Sequence, residues 1–249
     1  MDEYKIDPTI SYDIVELPSR GIHYQNKKKS LRVAYLTAVD ENILSSQNLI
    51  ASNMVVEEIL KRKILDKDIS IDELVDEDRQ AVLLFLRNTA FGPEYTFHLM
   101  DPKTNEDFSV TIDISEVKFK DFTLEPDSNG EFKYHMEKSN IDITFKFLTK
   151  KQQKEISEIE KSWNGIGVAP IITKQLEMMI KSVAGNREIM NIYNFITNLP
   201  IKDSQDFKKF VKNNTPGLDL QKSVKSPSGE SIQIEMGFGV EFFRPFYGL

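Results

Sequence analysis

The stretch Asp78–Tyr95, DRQAVLLFLRNTAFGPEY, constrains the fold more than any other. From Ala81 to Leu86, six apolar residues run without interruption. A surface helix carries one apolar stripe among polar residues, so a run this continuous predicts a helix buried on most of its faces. Asp76, Glu77 and Asp78 put negative charge on the first turn and Arg87 puts positive charge on the last, and both signs suit the helix dipole. Gly92-Pro93 ends the helix, because proline cannot continue it and glycine lets the chain leave. Tyr95–Leu99 follows as a β-rich run, so a central helix feeds directly into a hairpin.

Around this helix the chain reads in order. Residues 1–16 are polar with few apolar anchors and predict an extended N-terminal arm. Leu17-Pro18-Ser19-Arg20-Gly21 is a turn. Ile22–Tyr24 and Leu31–Leu36 read as a hairpin, with Lys27-Lys28-Lys29 on a solvated tip. Thr37 with Asp40 approximates a capping box and opens a short helix to Leu44; Ser45–Asn48 breaks it, and a second helix covers Asn53–Leu65. Asp66–Glu77 alternates acids as a calcium loop does, but Ile71 stands where such a loop needs glycine. The acids therefore read as the approach to the central helix, with Ser70 capping a short turn. Tyr95–Met100 and Phe108–Ile114 pair across a turn that contains Pro102.

After the turn-rich Glu125–Gly130 the pattern restarts. Phe132–Met136 and Ile141–Phe147 form a hairpin, and Thr149 with Gln152 is a second capping box. Helices follow at Lys150–Trp163, Ile171–Ala184, Arg187–Leu199 and Ser204–Lys212, before a closing hairpin with Pro227 in its turn. The expected fold is α+β, an internal duplication of two related units with short antiparallel hairpins packed around helices: 1–126 with the arm, and 127–249 with an extra helix and an aromatic tail. Met178, Met179, Ile180 and Val183 make an apolar patch that serves either as core or as an adaptable partner groove. The tail GFGVEFFRPFYGL crowds aromatics that either tuck into the core or dock on another protein.

Composition removes several classes of function. With no cysteine among 249 residues, disulfides, thiolate zinc sites and a cysteine nucleophile are excluded. The net charge of −7 argues against nucleic-acid binding. The opening MDEYKIDPTI has no signal-peptide pattern, and no apolar run is long enough to span a bilayer. His23, His98 and His135 lie singly in expected strands, without metal-ligand spacing. No nucleophile elbow, zinc-protease helix or complete dinucleotide loop occurs. No catalytic, cofactor or metal residue is assigned, and a binding or scaffolding role is expected.

Several motifs, in order, carry a resemblance: Leu17-Pro18-Ser19-Arg20-Gly21 with Tyr24, Leu36-Thr37, Asp78-Arg79, Phe91-Gly92-Pro93-Glu94-Tyr95, Phe145-Lys146-Phe147-Leu148-Thr149, Asn214-Thr215-Pro216-Gly217 and Gly239–Pro245. Together they resemble the T-even type of baseplate hub proteins of contractile-tailed phages. The resemblance implies a protein of the infected cell's cytoplasm that helps the central hub to assemble and need not remain in the virion. Its partners would be other hub proteins, with self-association open. Tyr24, Tyr95, Phe242, Phe243, Arg244, Phe246 and Tyr247 are the docking candidates on this reading. A structural hub subunit is the alternative, and a cell-wall hydrolase a third reading without an evident acid–base pair. Some relatives carry Cys-Pro-x-Cys knuckles at the hairpin turns, where this chain has Asp101-Pro102-Lys103-Thr104 and Ser226-Pro227-Ser228-Gly229. A metal-free version, held by backbone pairing and packing, is expected.

Overall fold

The computed structural model describes residues 9–163 and 167–243. Helices and small antiparallel sheets are interspersed along the chain, an α+β architecture as expected. The described residues group into two units that do not cut the chain in half. One holds 9–20, 28–120 and 217–243; the other holds 21–27 and 121–216. This differs from the contiguous units 1–126 and 127–249 expected above. The reason is that Leu218, Ile234, Met236, Phe242 and Phe243 are buried, with Leu218 bridging to Phe119. The closing segment thus completes the core of the first unit. The order hairpin, helices, hairpin runs from Tyr12 to Asp113, but a strand at Ile180–Val183 interrupts the helices that follow the next hairpin, and the compact units do not follow the expected division.

In the first unit, β1 (Tyr12–Glu16) pairs antiparallel with β2 (Ser30–Ala34), Tyr12 opposite Ala34 and Glu16 opposite Ser30. The described part of the expected arm is therefore a strand. Its alternation is easily missed, because only Val15 on β1 and Leu17 just beyond it turn inward. Ile22–Tyr24 is not a strand; it lies in a turn entered through Arg20 and Gly21, both at positive φ. Lys28 is not solvated either: its ammonium bonds Asp66 at 2.9 Å and Asp68 at 3.0 Å. Asp66 also accepts from the Arg32 amide and guanidinium. The calcium-like acids are thus neutralised from within the unit.

α1 (Ala38–Leu44) starts at the Thr37–Asp40 capping box. α2 (Gln47–Ala51) occupies part of the expected break, and α3 (Val55–Lys63) follows. Ser70 caps a 3₁₀ turn at Ile71–Glu73. The central helix, α4 (Asp76–Phe91), buries Ala81 through Leu84 and Leu86, and leaves through Gly92 at φ 82°. β3 (Glu94–Met100) then pairs with β4 (Asp107–Asp113).

In the second unit, β5 (Phe132–Met136), β6 (Ile141–Phe145) and β7 (Ile180–Val183) form one antiparallel sheet. α5 (Lys150–Ser162) begins at the Thr149–Gln152 capping box. α6 (Ile171–Met179) stops short of the expected Ala184, because Ile180–Val183 pair with the free edge of β6 as β7. The Ser182 hydroxyl meets that of Thr144 there at 2.7 Å. α7 (Ile189–Thr197) and α8 (Ile201–Asn214) complete the unit. Phe145 packs tilted against Phe132 and edge-on against Phe147 and Phe207, with ring centres 5.2–5.7 Å apart. Returning to the first unit, β8 (Gln221–Lys225) and β9 (Ser231–Glu235) make the closing hairpin.

Candidate docking groove

The residues that sequence proposed for docking are placed mostly inside. Tyr24 is buried, and Tyr95 is half-buried against Phe97 and Phe242. Phe242 and Phe243 are each only 1% exposed, so they belong to the core and not to a surface. Arg244, Phe246 and Tyr247 lie outside the described residues. Phe242 is held by Arg87, whose Nε donates to its carbonyl at 3.0 Å. The same guanidinium donates to the carbonyls of Gly92 at 2.9 Å and Glu94 at 3.0 Å. Phe91 and Tyr95 flank it at 5.2 and 5.8 Å from their ring centres. Burial pushes the Arg87 pKa down, while Tyr95 opposes the shift.

The two proline-containing hairpin turns meet within the first unit. Asp101 is fully buried; it accepts from the Ser228 amide at 2.9 Å and hydroxyl at 2.8 Å, and from the Lys103 amide at 2.9 Å. The Ser226 and Ser228 hydroxyls lie 3.0 Å apart. Burial alone would raise the Asp101 carboxyl, but the Lys103 amide and the Ser228 and Ser226 donors hold it well below the usual carboxylate range. These residues do not fit zinc. They offer one carboxylate whose oxygens are already taken, and no thiolate. Among the described residues no group of three or more His, Asp or Glu side chains could hold a metal ion.

A cleft lies on the second unit. α5, α6, β7 and α7 enclose a groove of about 540 Å³. Its apolar lining is Ile159, Met178, Ile180, Ile189, Ile192 and Tyr193. Ile180 and Ile192 are buried and form the floor. Ile189 on α7 is 83% exposed and Tyr193 is 47% exposed, with Met190 beside them at 66%. These positions share α7 with the inward-facing Ile192 and Ile196, so this helix is apolar on more than the face it buries. That excess was visible in the sequence IMNIYNFIT, where apolar residues exceed one stripe. The methionine patch is split by the fold: Met178 lines the groove, whereas Met179 and Val183 are core.

Charge rims the groove. Lys174 pairs with Glu177 at 2.6 Å. Arg187 grips both oxygens of Glu131, at 2.8 and 3.0 Å. Lys181 donates to the Met178 carbonyl at 2.7 Å, near the C-terminal end of α6. Burial and the neighbouring Lys146 lower the pKa of Lys181, with Glu131 pulling the other way. The arrangement is a set of shaped apolar contacts with a charged margin, suited to binding a protein segment.

Comparison with curated proteins and with solved structures finds no match. No helix among the described residues is long and apolar enough to cross a membrane. The family model for T4 bacteriophage base plate proteins matches residues 14–244. That span takes in both units and nearly all the motifs that carried the resemblance, and on it the chain belongs to the family of T4-type phage baseplate proteins.

Proposed function

We propose that the chain is an assembly factor for the central hub of the baseplate, a chaperone-like binding protein that works in the cytoplasm of the infected host. It covers or aligns surfaces on hub subunits until they associate, and it is released before the virion is complete. Family membership supports a place among baseplate proteins. The observation that carries the finer reading is the groove on the second unit, where the exposed Ile189 and Tyr193 line an apolar floor. Exposed apolar side chains grouped in this way mark a protein-interaction site. A non-enzymatic role accords with the state of the buried acids. Asp78, Asp101, Asp203 and Glu131 each spend their oxygens on structural bonds and not on a shared cavity.

Infection with a phage carrying an early stop codon in this chain tests the reading, together with quantitative mass spectrometry of purified wild-type virions. The expected result is failure of hub assembly without the protein, and its absence from finished particles. A fixed copy number per baseplate in purified virions would make it a structural subunit of the hub instead.

A further inference from the structure

We infer that the groove on the second unit receives an amphipathic helix from another baseplate protein, with the helix's apolar face in the groove and a carboxylate at its edge directed to Lys181. This rests on the assembly reading above and specifies the chemistry of its partner. The groove volume lies in the range of clefts that enclose a ligand. A groove walled by helices takes an amphipathic helix through anchors at i, i+3, i+4 and i+7.

The margin carries the choice of charge. Lys174 is already matched by Glu177, with Glu155 of the same lining also acting on it, and Arg187 is matched by Glu131. Among the described residues Lys181 bonds only the Met178 carbonyl, whose share of the helix dipole is a fraction of a charge. Glu131, the acid that Lys181 feels, already gives its oxygens to Arg187 and Thr144. Lys146 adds a second positive charge that repels the first. An incoming carboxylate therefore gains a partly desolvated cation without breaking an existing pair.

A second copy of this chain is the competing occupant, and the crosslink below distinguishes the two.

A photo-crosslinking phenylalanine derivative in place of Tyr193, in the full-length chain produced during infection, tests this, with the crosslinked peptide mapped by mass spectrometry. The expected product joins Tyr193's position to an amphipathic, acid-bearing helix of another baseplate protein. Lys181→Glu should lower its yield by about tenfold or more, and a compensating acid-to-lysine change in the mapped segment should restore it. Lys181→Gln, which keeps a donor for the Met178 carbonyl, should also lower the yield and serves as the variant less disturbing to the fold. Crosslinking to a second copy, to a segment without an acid, or with a yield indifferent to both substitutions would overturn the proposal. A second probe at Ile14, exposed on β1 of the first unit, separates the two levels of claim. Capture of a baseplate protein at Ile14 and none at Tyr193 overturns the groove but leaves the assembly reading. Capture at neither position overturns both.

Discussion

Arg87 carries a positive charge to a place where 1% of its surface meets water, and among the described residues it is matched by carbonyls and rings, not by a carboxylate. The planar fork lets one side chain satisfy the end of α4, the start of β3 and the Phe242 backbone together. Lysine has the charge but not the fork. Arg87→Lys should therefore destabilise the first unit by about 2–3 kcal/mol, read from its denaturant midpoint, with the second unit's transition unmoved. His23 illustrates the opposite problem. Its ring sits edge-on to Phe147 at 5.9 Å, and its buried Nε2 has no hydrogen-bond partner among the described residues. Burial lowers its pKa from 6.5 to about 4. Well above pH 6.5 the residue is neutral whether folded or unfolded and adds no pH dependence. Between pH 6.5 and 4 the unfolded chain takes a proton that the folded one refuses, so stability falls as pH falls. The loss saturates below pH 4 at about 3 kcal/mol. His23→Leu should flatten that part of the stability–pH curve, and a curve of unchanged slope would contradict the assignment.

At the scale of elements, buried aspartates tie helices and turns to one another. Asp78, on the first turn of α4, accepts from the amide and hydroxyl of Ser19 in the β1–β2 connection, at 2.9 and 2.6 Å. Asp203, on the first turn of α8, accepts from the Ser139 amide and hydroxyl in the β5–β6 connection, at 2.8 and 2.5 Å. In each unit a first-turn aspartate of a helix thus holds a serine in a hairpin connection. Asp101 does a related job between two hairpin turns. Because its folded pKa is depressed, its contribution is present above the ordinary carboxylate range and is lost as pH falls through the folded value. Asp101→Asn puts an N–H₂ where the carboxylate accepted, against the Ser228 amide. Its melting temperature should drop by about 5 °C at neutral pH, while added zinc should leave the wild-type midpoint unchanged.

The elements written in strong local signals were legible in advance. The six-residue apolar run of α4, both capping boxes and the β3–β4 and β5–β6 hairpins depend on neighbours in sequence. What escaped depends on distant partners. β7 is a strand because β6 offers an edge, although its own residues continue a helical pattern. Lys28 is bound because Asp66 and Asp68 come to it from across the fold. The groove was half visible, since Met178 and Ile180 stood out as an apolar patch, whereas the exposure of Ile189 and Tyr193 follows from how α7 lies on its neighbours.

At the scale of the whole molecule, residues 121–216 of the second unit lie in sequence between parts of the first. A ribosome translating the chain delivers the second unit entire while the first still lacks 217–243. During that interval α4 has emerged, but the Phe242 carbonyl that Arg87 will bind has not yet been synthesised. The nascent chain thus matures from its middle outward. The earlier-made unit remains the more vulnerable to proteases and to sticking until 217–243 arrive, and a chain that stops before residue 217 would damage the first unit, not the second.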